Sequence, residues 1–489
     1  MAIETRAYDL VVIGGGPAGI VAAAIGTGAG HKVALVDNHH QLGGAGINTG
    51  TVPSKTLRET ALALSGLKAR RLIGVDHSLK EEATVADFLR HEQHVRAGFN
   101  TMIAQQLRGD KADVYFGTGL FVDPHTVQVK VSRLRPRKGQ PPGLNHDVLL
   151  RAERVLIATG SSPVRPAVFP FGSTGVYDSD TILHLDRLPG RLAVVGAGVI
   201  GSEYACVFAA LGARVDLIDG REVLLPFLDT EVSHALTAAM QRDGVTFHWK
   251  EKVEDCRARG SAGVRLYFGS RTDLNVDAVL VAAGRQSNTP MLNLAAAGVT
   301  TNEHGIISVN EQFQTNVPHI YAAGDVIGFP ALASTSMEQA RRAARHALGL
   351  EARVPISRFL PNGIYTIPEA SMVGETEETL KQQGVDYVVG RADYRGNPRG
   401  RIIGDLDGFL KLLFRRGDMK LLGVHVLGEQ ATEIVHIGMM VMIAGGTADA
   451  FIGACFNIPT LGALYKSATI DALLHASGGR ASLTALAEA

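Results

Sequence analysis

Apolar runs, glycine turns and alanine-rich segments follow one another in a fixed order near the start of the chain. Residues 10–13 form a continuous apolar run, and a glycine turn, an alanine-rich stretch and a second apolar run ending at Asp37 follow it. This order predicts a buried strand, a helix and a second strand, a βαβ unit. The same pattern returns at residues 192–195 and ends at Asp219. Two βαβ units predict an α/β protein with parallel sheets.

Each unit carries three glycines at the spacing of a dinucleotide-binding turn. They are Gly14, Gly16 and Gly19 in the first unit and Gly196, Gly198 and Gly201 in the second. The first glycine of each set permits a tight turn, the second lets the backbone approach a pyrophosphate, and the third lets the helix pack closely on the strand. The helix N-terminus then faces the phosphates. The sequence therefore predicts two dinucleotide sites.

An acidic residue ends the second strand of each unit, where a carboxylate accepts hydrogen bonds from a ribose. At the second site Asp219 favours NAD(H), because its charge repels a 2′-phosphate. Arg221 leaves a second interpretation open, since its guanidinium could bind that phosphate and admit NADP(H). An arginine in a surface turn can also be merely solvated.

Four further segments carry a resemblance to a known family. They are GGAGINTGTVPSKTLRE at 43–59, RVLIATGSSP at 154–163, VLVAAGRQSNT at 279–289 and HIYAAGDVIGFPALAS at 319–334. Together with the two βαβ units they resemble the flavoprotein disulfide reductases over nearly the whole chain. The C-terminal segments at 362–380, 428–438 and 456–473 look most like the soluble transhydrogenase branch of that family.

The resemblance implies the cofactors and several of their contacts. The first βαβ unit would bind FAD and the second NAD(H) or NADP(H), Asp325 would bond the ribityl chain, and Ala333 would lie beside it. The resemblance also implies a homodimer formed through the C-terminal domain. Further candidate cofactor-binding residues are Gly44, Thr51, Lys55, Thr159, Gly160, Gly284 and Arg285.

The chain departs from the family at its thiol chemistry. The paired cysteines of the disulfide reductases would fall at Gly46 and Thr51, and their His–Glu pair at Ile458 and Ala463. The transhydrogenase branch usually keeps one cysteine at the Gly46 position and a glutamate at the Ala463 position. A dithiol route needs an attacking thiolate, a resolving thiol and a base, and none is present at these positions.

The chain has three cysteines in all. Cys206 and Cys455 are expected to be buried packing residues, whereas Cys256, in a charged stretch, is expected to be exposed.

Lys55 and Glu203 are the candidate catalytic residues. The resemblance implies that a lysine of the PSK segment lies near the flavin and pairs with the glutamate two residues beyond Gly201. The pair could instead be only a structural salt bridge between domains. Thr51 and Pro53 suit the start of the helix that carries Lys55, Thr51 as its cap and Pro53 in its first turn.

Three functions remain open. The first is hydride transfer between nicotinamide nucleotides through flavin, as in a soluble transhydrogenase. The second is a diaphorase or oxidase that passes electrons to a quinone, a metal ion or oxygen. The third is a non-catalytic flavoprotein that senses the redox state of NAD(P)H.

Composition and the distribution of apolar residues indicate which partners the protein can have and where it is located. Lys+Arg and Asp+Glu both number 48, so no net charge attracts nucleic acid or an anionic membrane. No apolar stretch reaches the roughly 20 residues that cross a bilayer, and no signal peptide is evident, so a cytoplasmic protein is expected.

The 489 residues predict several domains. The expected division is FAD-binding at 1–160 and 285–359, nucleotide-binding at 161–284, and a dimerisation domain at 360–489. A basic stretch at 133–147 is expected to be an exposed loop, and 480–489 a frayed helix end.

Overall fold

The structure is a computed structural model that describes residues 3–66, 84–131, 146–270, 272–350 and 356–477. The predicted loop at 133–147 lies almost entirely outside the described residues, and the predicted frayed end at 480–489 lies wholly outside them. Across the described ranges, the helices are too short or too polar for any of them to span a bilayer.

The strands fall into sheets of parallel, mixed and antiparallel type. In chain order they are β1 (Glu4–Ile13), β2 (Val33–Asp37), β3 (Asp113–Asp123), β4 (Thr126–Val131), β5 (Val148–Ile157), β6 (Ser161–Pro163), β7 (Val176–Asp178), β8 (Arg191–Val195), β9 (Arg214–Asp219), β10 (Val245–Trp249), β11 (Val253–Ala258), β12 (Val264–Phe268), β13 (Leu274–Val276), β14 (Ala278–Val281), β15 (Arg285–Ser287), β16 (Ile320–Ala322), β17 (Asn362–Ile364), β18 (Ala370–Gly374), β19 (Tyr387–Asp393), β20 (Phe409–Arg415) and β21 (Leu421–Leu427).

The α-helices connect these strands and cover the sheets. In chain order they are α1 (Pro17–Gly28), α2 (Gly44–Asn48), α3 (Thr51–Ser65), α4 (Val85–Gly109), α5 (Val199–Ala210), α6 (Thr230–Arg242), α7 (Ala333–Ala347), α8 (Glu377–Gln382), α9 (Pro398–Ile403), α10 (Ala431–Ile443), α11 (Asp449–Ile452) and α12 (Leu464–Ala476).

The chain forms two compact units. The first comprises Met1–Thr56, Leu89–Val164 and Gly284–Ile356, and the second comprises Leu57–Phe88, Arg165–Ala283 and Ser357–Ala489. The finer division into FAD-binding, nucleotide-binding and dimerisation domains stays a prediction.

The first unit is built on a mixed sheet. Strand β1 pairs in parallel with β2 and β5, β2 with β3, and β5 with β16, whereas β4 pairs antiparallel with β3 and β5. Successive side chains of a strand point to opposite faces, so Leu10 and Val12 pack with α1 and α7, while Val11 and Ile13 join a second core. Burial on both faces explains the continuous apolar run that predicts this strand.

The second unit contains a parallel sheet in the order β10-β9-β8-β14-β7 and a small antiparallel sheet, β11-β12-β13. Helix α5 connects β8 to β9, which confirms the second βαβ unit. Both predicted second strands end where expected, β2 at Asp37 and β9 at Asp219.

The second unit also contains an antiparallel sheet in the order β17-β18-β21-β20-β19, with α10 and α12 contributing to its core. Tyr465 of α12 is buried there, and its ring stacks on Phe451 with the ring centres 4.9 Å apart. The predicted fold class is confirmed: two Rossmann-like βαβ folds and an α+β C-terminal domain.

Candidate functional site

The first glycine turn has the geometry that its spacing predicts. Gly14 follows β1 at a φ of +112°, and a Cβ there would lie 2.2 Å from the Ala158 carbonyl oxygen, so only glycine fits. A Cβ on Gly19 would lie 1.8 Å from the Gly14 carbonyl oxygen, so α1 approaches the turn closely. A Cβ on Gly16 would find its nearest neighbour 3.9 Å away, which leaves this backbone open to approach.

Asp37, at the end of β2, holds this turn through hydrogen bonds. Its Oδ2 accepts a hydrogen bond from the Gly15 N–H at 2.6 Å, and its Oδ1 accepts one from the His39 N–H at 2.7 Å. Gly44, the first residue of α2, lies against the same turn, since a Cβ on it would be 2.9 Å from the Gly16 Cα. The structure thus brings Asp37 and Gly44 to the fingerprint glycines.

Thr159 and Gly160 follow β5 at the same edge of the sheet. A Cβ on Gly14 would lie 2.9 Å from the Thr159 nitrogen, so the two segments adjoin. Asn288 holds them, donating from Nδ2 to the Thr159 carbonyl oxygen at 2.9 Å and from its N–H to the Gly160 carbonyl oxygen at 3.0 Å. The Thr159 hydroxyl is buried and finds no hydrogen-bond partner among the described residues. Because buried polar groups are normally paired, this hydroxyl favours a ligand group at this edge.

Asp325 and Arg285 meet at Ser161. The Ser161 hydroxyl donates to Asp325 Oδ2 at 2.6 Å, and Arg285 donates from Nε to that hydroxyl at 2.8 Å and from Nη2 to the Ser161 carbonyl oxygen at 2.6 Å. Gly284, at a φ of +106°, accepts the Val164 N–H at 3.0 Å and belongs to the first unit. These contacts fix the Asp325 carboxylate and the Arg285 guanidinium beside each other.

Ser161 and Asn288 are not among the site residues predicted from the sequence, although they lie in the motifs at 154–163 and 279–289. The signal that could have found them is a small polar residue placed directly after a strand end, where binding residues concentrate.

Ala333 is the first residue of α7. The side-chain oxygen of Gln339, six residues further along the helix, accepts the Gly324 N–H at 2.9 Å and so ties α7 to the turn that carries Asp325. A Cβ on Gly324 would lie 3.6 Å from the Ala18 Cβ, so this turn also adjoins α1.

Helix α3 begins one residue earlier than the predicted cap at Thr51 implies. Thr51 is already the first helical residue, and the Gly50 carbonyl oxygen accepts the Ser54 N–H at 3.1 Å, so Gly50 stands at the cap position. The prediction that Thr51 caps the helix is wrong by one residue, whereas Pro53 lies in the first turn as predicted. Lys55 follows two residues after Pro53, and its Nζ donates to the Ser54 hydroxyl at 3.1 Å.

The second glycine turn repeats the first almost atom for atom. Gly196 has a φ of +105°, and a Cβ on it would lie 2.3 Å from the Ala282 carbonyl oxygen. A Cβ on Gly201 would lie 1.9 Å from the Gly196 carbonyl oxygen, whereas a Cβ on Gly198 would have no described atom within 4 Å. The second unit therefore offers the same open backbone for a pyrophosphate.

Asp219 holds this turn through a hydrogen bond and also forms an ion pair with Arg221. Its Oδ2 accepts the Ala197 N–H at 2.6 Å, while the guanidinium donates from Nη2 to Oδ2 at 2.7 Å and from Nε to Oδ1 at 2.9 Å. Burial by itself would raise the pKa of Asp219, but the hydrogen bonds from Arg221 and Ala197 outweigh it and lower that pKa to about 2. The carboxylate is therefore charged throughout the neutral range.

Glu203 lies in α5, two residues beyond Gly201, and only 4% of its surface is exposed. Its Oε1 accepts the Tyr365 N–H at 3.0 Å, so the carboxylate links α5 to the segment after β17 within the second unit. Lys55 belongs to the first unit. The pairing of Lys55 with Glu203 stays a prediction.

The three cysteines are free thiols, and the structure corrects two of the three expectations. Cys206 is buried as predicted. Cys256 is also buried, because it points into the core between β11 and the parallel sheet, whereas Cys455 is exposed. Burial raises the pKa of Cys206 to about 12 and that of Cys256 to about 11, so neither is a thiolate at neutral pH.

The positions that depart from the family lie in α2, α3 and the C-terminal domain. Gly46 is in α2 and Thr51 opens α3. Ile458 is 77% exposed, and it lines, together with Ala463, a cavity of about 450 Å³ in the second unit. Neither side chain can exchange a proton, so neither can serve as an acid or a base.

The first unit fits FAD, the cofactor that the resemblance implies. The glycine turn is closed to any side chain at Gly14 and Gly19 but open at Gly16, as a pyrophosphate requires. The Thr159 hydroxyl, which has no hydrogen-bond partner among the described residues, and the fixed Asp325 carboxylate add polar groups at the carboxyl ends of β5 and β16, where α/β sheets bind ligands.

Comparisons with known proteins agree with this geometry. Residues 8–347 match the family model of the pyridine nucleotide-disulphide oxidoreductases, and residues 360–468 match the dimerisation domain of the same family. A soluble pyridine nucleotide transhydrogenase of Mycobacterium tuberculosis is 45% identical over 468 residues, which cover 96% of this chain and 97% of that protein. Another of that name, from Pseudomonas putida, is 40% identical over 473 residues, 95% of this chain and 98% of its own.

Solved structures share the fold. The HOCl-induced flavoprotein disulfide reductase RclA from Escherichia coli superposes with a TM-score of 0.84 at 27% identity, over 95% of this chain and 99% of that one. LpdA from Mycobacterium tuberculosis also gives 0.84, at 24% identity over 96% of this chain and 99% of its own. The chain therefore belongs to the pyridine nucleotide-disulphide oxidoreductase family and is an FAD-dependent oxidoreductase that uses pyridine nucleotides.

Proposed function

We propose that this protein is a soluble pyridine nucleotide transhydrogenase, which moves hydride between NADPH or NADH and a second, oxidised nucleotide. The observation that carries the proposal is its 45% identity, over 96% of the chain, with a relative of that name. The cysteines support this proposal, because the chain lacks a pair that could form a redox disulfide. Cys206 and Cys256 are buried with raised pKa values, and the chain has no fourth cysteine to pair with Cys455.

The first unit is proposed to hold FAD, with the turn from Gly14 to Gly19 at the pyrophosphate, Asp37 at the ribose and Asp325 at the ribityl chain. When bound, FAD would supply the redox chemistry, the exchange of a hydride between two nicotinamide nucleotides. The turn from Gly196 to Gly201 is proposed to hold the nicotinamide nucleotides in succession.

Lys55 and Glu203 are proposed to support this exchange. The Lys55 ammonium stabilises the negative charge that reduction adds, and the buried Glu203 carboxylate compensates the cost of a cation away from water. The hydrogen bond from Tyr365 to Glu203 would fix the carboxylate for that role.

The test mixes the holoenzyme with NADPH or NADH and thio-NAD⁺ and follows the appearance of thio-NADH. We expect turnover with at least one donor, and no turnover with either would refute the proposal. Rapid oxidation of the reduced flavin by quinone or air, with little exchange between nucleotides, would indicate a diaphorase or oxidase. A flavin that does not bleach under anaerobic NADH and NADPH would indicate a non-catalytic sensor.

The quaternary structure in this proposal is a homodimer formed through residues 360–468, which match a dimerisation domain. Met440, Ile443 and Ile458 lie in this region with 58%, 47% and 77% of their surfaces exposed. Apolar side chains exposed to that extent favour contact with a second copy. Sedimentation velocity should give a dimer for the wild type and a monomer for Met440→Glu with Ile443→Glu. The control Met291→Glu, an exposed position in the first unit, should remain dimeric.

The proposed location is the cytoplasm, which rests on the relatives being named soluble.

A further inference from the structure

Arg58 is a buried arginine to which the proposed chemistry gives no role. Only 3% of its surface is exposed, and it lies on the buried face of α3 with Leu57, Ala61 and Leu62. Arginine is rarely buried to this extent unless its charge is paired. It follows Lys55 by three residues on the same helix, so its contacts fix the part of α3 that carries Lys55.

Two groups from the segment between β17 and β18 hold the Arg58 guanidinium. Its Nε donates to the Thr366 carbonyl oxygen at 3.0 Å, although 308 positions separate the two residues, and its Nη2 lies 3.1 Å from Glu369 Oε1. The other oxygen of Glu369 accepts the N–H and the hydroxyl of Thr432, in the first turn of α10, at 3.2 and 2.9 Å. Arg58 therefore fixes α3 to the C-terminal sheet and to α10 within the second unit.

The segment that holds Arg58 also holds Glu203, the proposed partner of Lys55. Thr366 accepts from Arg58 through its carbonyl oxygen, and the residue before it, Tyr365, donates its N–H to Glu203 at 3.0 Å. Residues three positions apart on a helix lie on the same face, so Lys55 and Arg58 share one face of α3. One short segment thus fixes both the carboxylate and the helix that carries the lysine.

Stability alone does not explain this buried ion pair. Burial raises the pKa of Glu369 above its ordinary value, even though Arg58 and the hydrogen bonds from Thr432 act to lower it. The charged carboxylate is therefore held at a cost. Replacing a buried ion pair by uncharged side chains of similar volume is often neutral or stabilising. What the pair adds, and a leucine on the same face could not, is a fixed rotation and height of α3.

We propose that Arg58 is a positioning residue for Lys55: by holding α3 to the segment between β17 and β18, it sets where the Lys55 ammonium lies. The inference rests on the proposed function, in which that ammonium stabilises the negative charge that reduction of the flavin adds. Such stabilisation depends on distance, and a displacement of about 1 Å can slow a reaction about 100-fold. Arg58 acts in this way without contact to the nucleotide or the cofactor.

The test replaces Arg58 and follows the bound flavin of the holoenzyme. Arg58→Met should slow reduction of the flavin by NADPH about 10-fold and make its midpoint potential more negative. Stopped-flow absorbance and a redox titration measure the two effects, and the flavin absorbance per chain checks that FAD is retained. Glu59→Gln is the matched control, because Glu59 lies 2.6 Å from the same guanidinium but is 57% exposed. It should change neither quantity.

A second variant separates position from stability. Arg58→Met alone leaves Glu369 buried without its cation and should lower the unfolding midpoint. Arg58→Met with Glu369→Gln removes both charges, so its stability should return most of the way to that of the wild type while flavin reduction stays about 10-fold slow. Recovery of the rate and the potential together with the stability would show a purely structural ion pair and overturn the inference.

A double-mutant cycle tests whether Arg58 acts through Lys55. Added to Lys55→Met, Arg58→Met should slow flavin reduction by less than about 2-fold, because the ammonium that it positions is already absent. Slowing of the same size in both backgrounds would overturn the inference. The midpoint potential is measured without any nucleotide, so a wild type that fails the thio-NAD⁺ test refutes the proposed function and leaves the role of Arg58 to be decided by its own result.

Discussion

Lys411 donates a hydrogen bond to the buried carboxylate of Asp229 at 2.8 Å, although 182 positions separate the two residues in the chain. Only 1% of either side chain is exposed, and the same ammonium lies 3.0 Å from Glu231 Oε2 and 2.5 Å from Glu377 Oε1. The three carboxylates are close enough together to hold a metal ion. Here the lysine takes the cation position, and it joins the start of α6 to the C-terminal sheet within the second unit.

Removing this ammonium should destabilise the protein strongly. Lys411→Met keeps much of the side-chain volume but leaves Asp229 buried without its cation, which costs about 3–5 kcal/mol for a buried pair. The measurement is the denaturant midpoint of unfolding. Lys381→Met is the control, because Lys381 lies 3.4 Å from the same Glu377 but is 63% exposed, so it should change the stability by less than about 1 kcal/mol. Equal effects of the two variants would contradict this account.

Acid should weaken the same cluster within a defined range. Burial alone would raise the pKa of Glu377, but hydrogen bonds from Lys411 and Tyr387 lower it to about 2, against an ordinary value of 4.5. A carboxyl group whose pKa is lowered by folding stabilises the folded state above its unfolded pKa and loses that contribution as the pH falls toward the folded pKa. Stability should therefore decline as the pH falls from about 4.5 to about 2.

Unfolding midpoints measured across this pH range should show a flatter decline in Glu377→Gln than in the wild type. Glu303→Gln, at a position 86% exposed, should follow the wild-type profile. A Glu377→Gln profile as steep as that of the wild type would show that other groups set the acid response.

The glycines of the second turn should separate binding from folding. Gly198→Ala should fold normally, because its Cβ would meet no described atom within 4 Å, yet the methyl group would obstruct the pyrophosphate and weaken NAD(P)H binding about 10-fold or more. Gly201→Ala should lower the yield of folded protein, because its Cβ would lie 1.9 Å from a backbone oxygen. Thermal unfolding and nucleotide titration distinguish the two, and a Gly198→Ala protein that binds nucleotide normally would contradict the assignment of the turn.

Thiol modification should leave hydride transfer intact. Cys455 is exposed and Cys206 and Cys256 are buried, so Ellman's reagent should titrate one thiol in the native protein and three after denaturation. The alkylated holoenzyme should retain its activity with thio-NAD⁺, because no step needs a thiol. Loss of activity on alkylation of the native protein, or efficient reduction of lipoamide or glutathione, would point back to disulfide chemistry.

Lys55→Met tests whether that lysine supports the chemistry or only the fold. Loss of its positive charge should slow reduction of the flavin by NADPH about 10- to 100-fold and make the flavin midpoint potential more negative. Stopped-flow absorbance and a redox titration measure these effects. Lys130→Met, an exposed cation of β4, should change neither quantity. A Lys55→Met protein with lower thermal stability but unchanged rate and potential would show a purely structural salt bridge.

The sequence by itself determined the parts of the site that depend on local backbone. The two glycine turns, the strands before them and the acids Asp37 and Asp219 lie where the spacing predicts, because a positive φ or a close approach admits glycine alone. The strands at 10–13 and 192–195 were predictable for a similar reason, since burial on both faces leaves a continuous apolar run.

Only the tertiary structure decided which side chains are buried and which charges meet. Cys256 lies in a charged stretch yet points into a core, Cys455 lies in an apolar stretch of sequence yet is exposed, and Lys411 is buried among carboxylates from distant segments. The pairing of Arg221 with Asp219 was also decided only by the tertiary structure, because the side chains of two residues in a turn can point together or apart. Burial and ion pairing depend on which distant elements pack together, and that is not encoded in any short stretch of sequence.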